Sequence, residues 1–305
     1  MLHRSIGSLS VSVIGLGTNN FGFTMAEGEV LPVVDAALEA GINLFDTADS
    51  YLSSEERCAA ALGRRRDDIV LATKFGNKAD DEFTGGASAS YVRRAVERSL
   101  QALRTDRIDL YQLHTPDPST PIEETLGALA ELVAEGKVIE IGCSNFSAEQ
   151  LRAAEAATGD GPRFVSVQNQ LSLLERADEE SVLPTCEDLG LAYLPYFPLA
   201  SGLLTGKYRR GEPVPSGTRI EKWNMAESVL TDANFDVIDR LEAWALERGH
   251  TLLELAFAWL LAHRVVASVI AGATSPAQVA ANAAAGEWEL TADEMVEVRV
   301  LLTQP

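Results

Sequence analysis

Four residues whose types could together carry proton-transfer chemistry follow short apolar runs in the first half of the chain: Asp46 and Tyr51 in NLFDTADSY, Lys74 in LATKFG, and His114 in LYQLH. A phenol has a pKa of about 10 and donates a proton poorly at neutral pH. A neighbouring ammonium stabilises the phenolate, so Lys74 is expected to lower the pKa of Tyr51 towards the range of efficient general-acid catalysis. Asp46 would keep Lys74 charged, and His114 would hydrogen-bond a substrate oxygen. Such a set is suited to protonating an alkoxide while a hydride reaches the adjacent carbon.

Each of the four residues also has a simpler explanation. An Asp before Thr often caps a helix, a lone Lys at a strand end is commonly solvated, a lone His is usually structural, and a Tyr in a loop usually packs. Independent accidents seldom bring a carboxylate, a phenol, an ammonium and an imidazole to successive strand ends. Their coincidence therefore favours one shared site.

The elements that must position these residues are short β-branched runs that alternate with longer amphipathic stretches. The predicted strands cover residues 11–17, 42–48, 69–76, 108–114, 138–144, 164–170, 192–198 and 267–272. The predicted helices lie near 31–40, 53–62, 90–104, 122–135, 147–157, 178–188, 235–262 and 276–285. Continuously apolar strands are typical of a parallel sheet covered on both faces. Eight strand–helix units predict an α/β fold, a (β/α)8 TIM barrel in a single domain over residues 1–305, with its chemistry at the carboxyl ends of the strands.

Local signals refine this prediction at several boundaries. The alternation around Ile6 and Gly7 predicts a short hairpin that closes the floor of the barrel. Ser90, Ser147 and Ser275 are predicted helix N-caps. The stretch 206–233 is rich in Gly, Pro and charged residues, which predicts a long functional loop after the seventh strand.

The bulk composition excludes several classes of partner. A formal net charge of −20 argues against nucleic acid and against docking on anionic lipid, because both require clustered cations. Cys58, Cys143 and Cys186 are far apart in sequence, so free thiols in a reducing compartment are expected, and no metal site is predicted. The N-terminus lacks an apolar signal region and no apolar run reaches about 20 residues, which predicts a cytoplasmic protein without membrane spans. The oligomeric state is left open.

Over essentially its whole length the sequence resembles the aldo-keto reductase superfamily. NLFDTADSY is similar to the Asp-Thr-Ala-x-x-Tyr signature of that family, and LATKFG and LYQLHTPD supply its Lys and His. The resemblance implies a (β/α)8 barrel that reduces an aldehyde or ketone, a small-molecule substrate, with hydride from NADPH. It also implies that Tyr51 is the general acid and that Asp46, Lys74 and His114 complete the catalytic set.

The same resemblance implies the residues that hold NADP(H). Ser144 and Asn145 of GCSNF and Gln168 of VQNQ would bind the nicotinamide carboxamide, and Tyr196 would stack on the ring. Lys207 and Arg219 would reach the phosphates. The remaining implied contacts lie at strand ends, in the segment after Tyr196 and at the adenosine end: Gly17, Thr18, Asn19, Asp46, Phe197, Pro198, Leu199, Ala200, Gly272, Thr274, Gln278 and Asn282.

The chain departs from the family pattern in three places. Thr274, Ser275 and Pro276 stand where many members carry a cation for the 2′-phosphate, so the NADPH prediction depends on Arg219. Ala281 replaces a carboxylate that often precedes the Asn of the adenosine segment. The loop after Tyr51 is shorter than usual and lacks a Gly, which is expected to alter the substrate mouth more than the chemistry.

Two other functions remain as alternatives. The first is a nicotinamide-binding module with little turnover that reports its redox state to a partner, as in the potassium-channel β-subunits of the superfamily. The second is a barrel aldolase with Lys74 as a Schiff-base nucleophile, although Asp46 would hold that lysine charged. The apolar residues in or near rim loops form either a substrate wall or loop packing: Phe21, Phe23, Phe75, Phe83, Trp223 and Met225.

Overall fold

The computed structural model describes residues 1–303, so the last two positions of the predicted domain lie outside the described residues. The chain starts with an antiparallel hairpin of strands β1 (His3–Ile6) and β2 (Leu9–Ser12). Eight parallel strands follow: β3 (Ile14–Gly17), β4 (Leu44–Asp46), β5 (Val70–Phe75), β6 (Ile108–Leu113), β7 (Val138–Ser144), β8 (Phe164–Gln168), β9 (Ala192–Tyr193) and β10 (Val269–Gly272).

The eight parallel strands form a closed barrel. Each strand from β3 to β8 pairs with the next, and β10 pairs with β3. The remaining seam, between β9 and β10, is closed by isolated bridges from Tyr193 to Val266 and from Tyr196 to Ile270. Tyr193 N–H donates to Val265 O at 2.7 Å across this seam. The prediction of a (β/α)8 barrel is confirmed.

Helices cover the outside of the barrel and fill its loops. They are α1 (Asn19–Phe23), α2 (Glu27–Glu39), α3 (Ser54–Leu62), α4 (Ala89–Leu103), α5 (Ile122–Ala134), α6 (Ala148–Ala157), α7 (Val182–Leu189), α8 (Arg219–Lys222), α9 (Ala226–Val229), α10 (Asp232–Glu247), α11 (Leu252–Ala262), α12 (Pro276–Ala285) and α13 (Ala292–Thr303). Within residues 1–303 none of these helices is long and apolar enough to cross a membrane.

Two predictions about the helices were wrong for identifiable reasons. The helix predicted over 235–262 is two helices, because Gly249 at φ +78° ends the first and Thr251 caps the second. Ser88, not Ser90, caps α4 by accepting a hydrogen bond from Tyr91 N–H, whereas the caps at Ser147 and Ser275 are confirmed.

The strand predicted over 192–198 is limited to Ala192–Tyr193. Pro195 and Pro198 follow it, and proline has no N–H to donate to a sheet. The sequence patterns also missed α13, and the 206–233 segment contains the short helices α8 and α9. Charge and proline content indicated a loop there but gave no sign of these single turns.

The core has two parts, one on each side of the strands. The larger part packs the strands against the surrounding helices, and the smaller one fills the barrel and meets the hairpin through Ile6 and Val11. The hairpin turn is fixed because Gly7 has φ +55° and because Ser8 N–H donates to Glu140 Oε1 at 2.7 Å. The predicted hairpin at the floor of the barrel is therefore confirmed.

Arg4 ties this hairpin to the end of α11. Its guanidinium donates to Leu261 O at 2.9 Å, Val266 O at 2.5 Å and His263 O at 3.5 Å. We expect Arg4→Met to lower the free energy of unfolding by roughly 2–3 kcal/mol, because hydrogen bonds from a charged donor are lost and carbonyl oxygens lose their partner. Urea unfolding measures this change.

The matched control is Arg64→Met on the exposed 3-10 turn Gly63–Asp68. A surface substitution of this kind should stay within about 0.5 kcal/mol. Equal stability of the two variants would show that Arg4 does not hold the hairpin in place.

Candidate active site

The carboxyl ends of β4, β5 and β6 bring the predicted catalytic residues together. Asp46 is the last residue of β4, Lys74 lies in β5, and His114 directly follows β6. Tyr51 lies in the loop between β4 and α3, and its ring stands 5.6 Å from the His114 ring in an edge-on arrangement. The four predicted residues therefore share one site at the rim of the barrel.

Asp46 and Lys74 form a buried ion pair beneath Tyr51. Lys74 Nζ lies 2.5 Å from Asp46 Oδ2 and also donates to Thr47 O at 3.0 Å. Burial lowers the pKa of Lys74, but Asp46 and Tyr51 raise it more, so the net pKa lies above its ordinary value. Lys74 is therefore a charged ammonium, 5.2 Å from the centre of the Tyr51 ring. A lysine kept charged is a poor amine nucleophile, which argues against the Schiff-base alternative.

Two buried amides hold the other oxygen of Asp46. Gln168 Nε2 donates to Asp46 Oδ1 at 2.9 Å, and Gln112 Nε2 donates to the same atom at 3.2 Å. Sequence reasoning missed Gln112. The signal was present, because Gln112 lies two positions before His114 on the same strand face and opposite Lys74 in the sheet register.

The net pKa shift of Tyr51 is opposite to the predicted one. Burial raises the pKa of its phenol, and Asp46 adds to the rise, whereas the ammonium of Lys74 lowers it without reversing the net direction. Lys74 does lower the pKa of Tyr51, as predicted, but the rise caused by burial is larger. Tyr51 is therefore a protonated phenol at neutral pH, with a cation beside it that stabilises the phenolate left after proton donation.

His114 is a neutral imidazole. Burial, followed by the charge of Lys74, lowers its pKa to about 3. Its Nδ1 lies 3.4 Å from Ser50 Oγ, and its carbonyl accepts from Asn145 Nδ2 at 2.9 Å. A neutral ring beside Tyr51 can donate one N–H to a substrate oxygen without competing as an acid.

The Tyr51 loop is clamped to the loop that follows β3. Ser54 Oγ donates to Thr18 O at 2.8 Å, and Arg57 Nη1 donates to Phe21 O and to the neighbouring turn. Gly22 makes the clamp possible, because a Cβ at this position would lie 1.8 Å from Tyr51 O. The position of the phenol therefore depends on a backbone contact that only glycine permits.

A cavity of about 1000 Å³ opens above these residues. Almost all the predicted coenzyme contacts line it: Gly17, Thr18, Asn19, Asp46, Ser144, Asn145, Gln168, Tyr196, Phe197, Pro198, Leu199, Lys207, Arg219, Gly272, Thr274, Gln278 and Asn282. Ala200 does not line it. The chain turns inward there at a positive φ of 44°, and the next residues, Ser201 and Gly202, face the cavity instead.

The residues predicted to bind the nicotinamide end are linked to one another. Ser144 Oγ donates to Gln168 O at 2.6 Å, and Asn145 Nδ2 donates to Ser144 Oγ at 3.1 Å. Tyr196 OH donates to Asn145 Oδ1 at 2.8 Å. Asn145 adopts a left-handed φ of 61°, a conformation that Asn tolerates well. These residues form one preassembled wall of the cavity.

Three cations line the cavity: Lys207, Arg219 and the exposed Lys222. Lys207 and Arg219 form no ion pair with a carboxylate within residues 1–303, and burial followed by the neighbouring Arg219 lowers the pKa of Lys207. Arg219 lies over the rings of Phe197 at 5.2 Å and Trp223 at 4.9 Å and donates to Asn20 Oδ1 at 3.2 Å. Adjacent cations repel each other, so an anionic group placed between Lys207 and Arg219 would be stabilised.

The opposite end of the cavity carries no such cation among the lining residues near α12. Gln278 Oε1 accepts from Thr274 N–H at 2.8 Å, and Ser275 caps α12. Residues Thr274–Pro276, where the sequence departs from the family pattern, therefore form a neutral polar wall. Glu29 also lines the cavity.

The predicted apolar residues divide between the two roles. Phe23 and Trp223 line the cavity and are 46% and 43% exposed. Phe21 and Phe75 are fully buried core residues. The other two also pack away from the cavity: Phe83 lies against Tyr91, and Met225 lies against the main core.

A parallel eight-stranded barrel with a Tyr–Lys–Asp–His set at its rim defines an oxidoreductase of the aldo-keto reductase class. A family model described as the Aldo/keto reductase family matches residues 13–302, and the chain belongs to this family. Members bind nicotinamide coenzymes and reduce carbonyl compounds.

Several known proteins are similar to this chain. The NADH-specific methylglyoxal reductase of Escherichia coli is 37% identical over 91% of the chain and 90% of its own length. A probable voltage-gated potassium channel subunit beta of rice is 33% identical over 92% and 90%. The holo form of aldo-keto reductase AKR11C1 from Bacillus halodurans superposes with a TM-score of 0.82 at 34% identity, covering 99% of this chain and 96% of that one.

The lowered pKa of His114 leads to a direct test by NMR. The ring signals of His114, assigned with a His114→Asn variant in histidine-labelled protein, should not titrate between about pH 5 and pH 8. The same residue in urea-unfolded protein should titrate near its ordinary value of about 6.5. A midpoint close to that value in the folded protein would contradict the neutral imidazole described above.

Gly22→Ala tests the clamp on Tyr51. The added methyl would displace α1 or the Tyr51 loop by about an ångström, and such a displacement costs roughly 100-fold in kcat for carbonyl reduction. The control is Gly28→Ala in α2, where a Cβ meets nothing within 4 Å. Equal kcat values for the two variants would show that the contact does not set the position of Tyr51.

Proposed function

We propose that this protein reduces aldehydes or ketones to alcohols with NADPH, with Tyr51 as the general acid. The observation that carries the proposal is the stack of Asp46, charged Lys74 and protonated Tyr51 at the floor of a coenzyme-sized cavity. His114 stands beside the phenol at the same floor. A carbonyl oxygen placed between Tyr51 and His114 meets two hydrogen-bond donors.

The chain's own residues supply the proton and stabilise its loss. When bound, the reduced nicotinamide supplies a hydride to the carbonyl carbon. Tyr51 gives its phenolic proton to the carbonyl oxygen, and the ammonium of Lys74 stabilises the resulting phenolate. Asp46, held by Gln168 and Lys74, keeps that ammonium charged and oriented. His114, as a neutral N–H donor, orients the substrate oxygen and stabilises its developing negative charge.

The binding of the coenzyme follows from the lining of the cavity. Ser144, Asn145 and Gln168 would hold the carboxamide, and Tyr196 would stack on the nicotinamide ring. Lys207 and Arg219 would hold the phosphates, because they are cations without a carboxylate partner in the described chain. The amides at the start of α12 would supply positive potential at the adenosine end of the cavity.

The preference for NADPH depends on Arg219 and Lys207. One relative of this chain is named as NADH-specific, and the neutral wall at Thr274–Pro276 would also accept a coenzyme without the 2′-phosphate. The same relative is named for methylglyoxal, a small dicarbonyl, which makes that compound a first substrate to assay. Because Phe23 and Trp223 line the cavity, aromatic aldehydes should be assayed as well.

A second function, a redox-reporting module with little turnover, is favoured by the similarity to a potassium channel subunit beta. The complete set of Asp46, Tyr51, Lys74 and His114 favours turnover instead. Tight NADPH binding without coenzyme oxidation across a broad carbonyl panel would reverse this preference.

Tyr51→Phe tests the proposed acid. The variant loses the proton donor but keeps the ring, so kcat should fall by about 100-fold to 10,000-fold while the Kd for NADPH changes little. Coenzyme oxidation at 340 nm (about pH 7) measures kcat, and fluorescence titration measures Kd. Wild-type carbonyl reduction by a folded, NADPH-binding Phe variant would refute the mechanism.

Arg219→Ala tests the coenzyme site. Loss of charge-assisted hydrogen bonds to phosphate should raise the Kd for NADPH by about tenfold or more, and by less for NADH if Arg219 reaches the 2′-phosphate. The control is Arg209→Ala, an arginine of the same segment that pairs with Glu242 and does not line the cavity. An unchanged Kd for both coenzymes would remove Arg219 from the site.

A further inference from the structure

Two carboxyl groups are buried behind the catalytic strand ends, outside the cavity. Asp49 lies in the loop between Asp46 and Tyr51 and is 2% exposed, and Glu55 lies in the first turn of α3 and is 3% exposed. Glu55 Oε1 accepts from Thr73 Oγ1 at 2.6 Å. Successive side chains of a strand point to opposite faces, so Glu55 contacts the outer face of β5 while Lys74 faces inward.

The surroundings of Asp49 are polar but leave it without a partner. Neither oxygen of Asp49 has a hydrogen-bond partner within residues 1–303, and the same holds for Tyr111 OH, Ser99 Oγ and Arg98 Nη1. Arg98 is the nearby cation, and Asp80 already pairs with it at 2.9 Å. Asp49 and Glu55 therefore have no cation to themselves, and ionising both would bury uncompensated negative charge.

Titratable and charged groups surround this carboxyl pair. The charges of Glu56, Asp80 and Arg98 act on Asp49 or Glu55, and the two carboxyls in turn raise the pKa values of Tyr51, Cys58, Tyr91 and Tyr111. Burial, followed by the charge of Glu55, raises the pKa of Asp49 to about 8. Burial raises the pKa of Glu55 to about 7, although the Thr73 hydroxyl works against the rise.

The pair is directly connected to the catalytic lysine. Asp49 N–H donates to Lys74 O at 3.1 Å, and Glu55 holds the side chain of Thr73, the residue before Lys74. Asp49 also lies two residues before Tyr51, whose N–H donates to Ala48 O at 3.1 Å. A shift of Asp49 would therefore move the backbone that carries both Lys74 and Tyr51.

We propose that Asp49 and Glu55 retain at least one proton between them and act as positioning residues for Lys74 and Tyr51, so that full ionisation of the pair distorts the catalytic loop. As the pH rises, the remaining proton leaves to solvent and both carboxyl groups become charged. Because two buried negative charges are unfavourable, Asp49 then moves towards water. The stability part of this proposal is independent of the function proposed above, whereas its activity part rests on that function.

The sign of the stability effect follows from the raised pKa values. Between about pH 4 and pH 8 the unfolded chain has released the Asp49 proton while the folded chain retains it, so the free energy of unfolding falls as the pH rises. Asp49→Asn cannot ionise and keeps similar hydrogen-bonding groups. Its urea midpoint should fall by about 0.5 M less than that of the wild type between about pH 5.5 and pH 8.5.

The matched control is Glu56→Gln, which removes an exposed charge next to Glu55 in α3. It corrects for the general effect of the net charge, and its midpoint should follow the wild type. Glu55→Gln provides a second variant of the pair if Asp49→Asn does not fold. The proposal would be overturned if the urea midpoints of Asp49→Asn and Glu55→Gln fell as steeply with pH as the midpoint of Glu56→Gln.

The positioning role is read from activity. The ratio of kcat at about pH 9 to kcat at about pH 6.5 should be at least threefold higher in Asp49→Asn than in the wild type, since both share the same Tyr51 and only the wild type ionises the pair. An unchanged ratio alongside a flattened stability profile would overturn positioning. If Tyr51→Phe retained activity, the proposed mechanism would fail while the urea result still decided the protonation of the pair.

Discussion

The buried contact between the Lys74 ammonium and the Asp46 carboxylate is the interaction on which the rest of the site depends. A buried charge is tolerated only when it is paired and its remaining hydrogen-bonding positions are filled. Here Gln168 fills the other oxygen of Asp46, and Thr47 O takes a second ammonium proton. The cation that results adds to burial in lowering the pKa of His114, and it partly offsets the rise that burial causes in the pKa of Tyr51. Removing either charge would leave the other stranded in the barrel.

The barrel makes this pair possible by placing β4 beside β5 with Asp46 in register with Ala72, two residues before Lys74. The loops then add what strands cannot supply. Tyr51 reaches the ammonium because its loop packs on α1 at Gly22, and Asn145 adopts a left-handed turn that joins the Ser144 wall to Tyr196. The rigid floor thus comes from the sheet, whereas the cations Lys207 and Arg219 come from the long segment after β9.

The sequence predicted the barrel and the shared position of Asp46, Tyr51, Lys74 and His114, because strand patterns and strand-end residues are local signals. It did not predict the net direction of the Tyr51 pKa shift, since burial depends on the packing of distant segments. Gln112 was missed although its spacing from His114 was readable. The end of the long helix at Gly249 was missed although its signals were readable, because Gly249 lies in a polar stretch and Thr251 with Glu254 forms a capping box. The roles of the coenzyme residues remain predictions that the cavity lining supports.

Lys207 and Arg219 lie in a protein with a formal net charge of −20. A dinucleotide that approaches from solvent is therefore repelled at long range and attracted only within about a Debye length of Lys207 and Arg219. Added salt screens this long-range repulsion more effectively than it screens the short-range attraction to Lys207 and Arg219. Coenzyme association should consequently speed up at moderate ionic strength, the reverse of the behaviour of enzymes that steer anionic ligands with a positive surface.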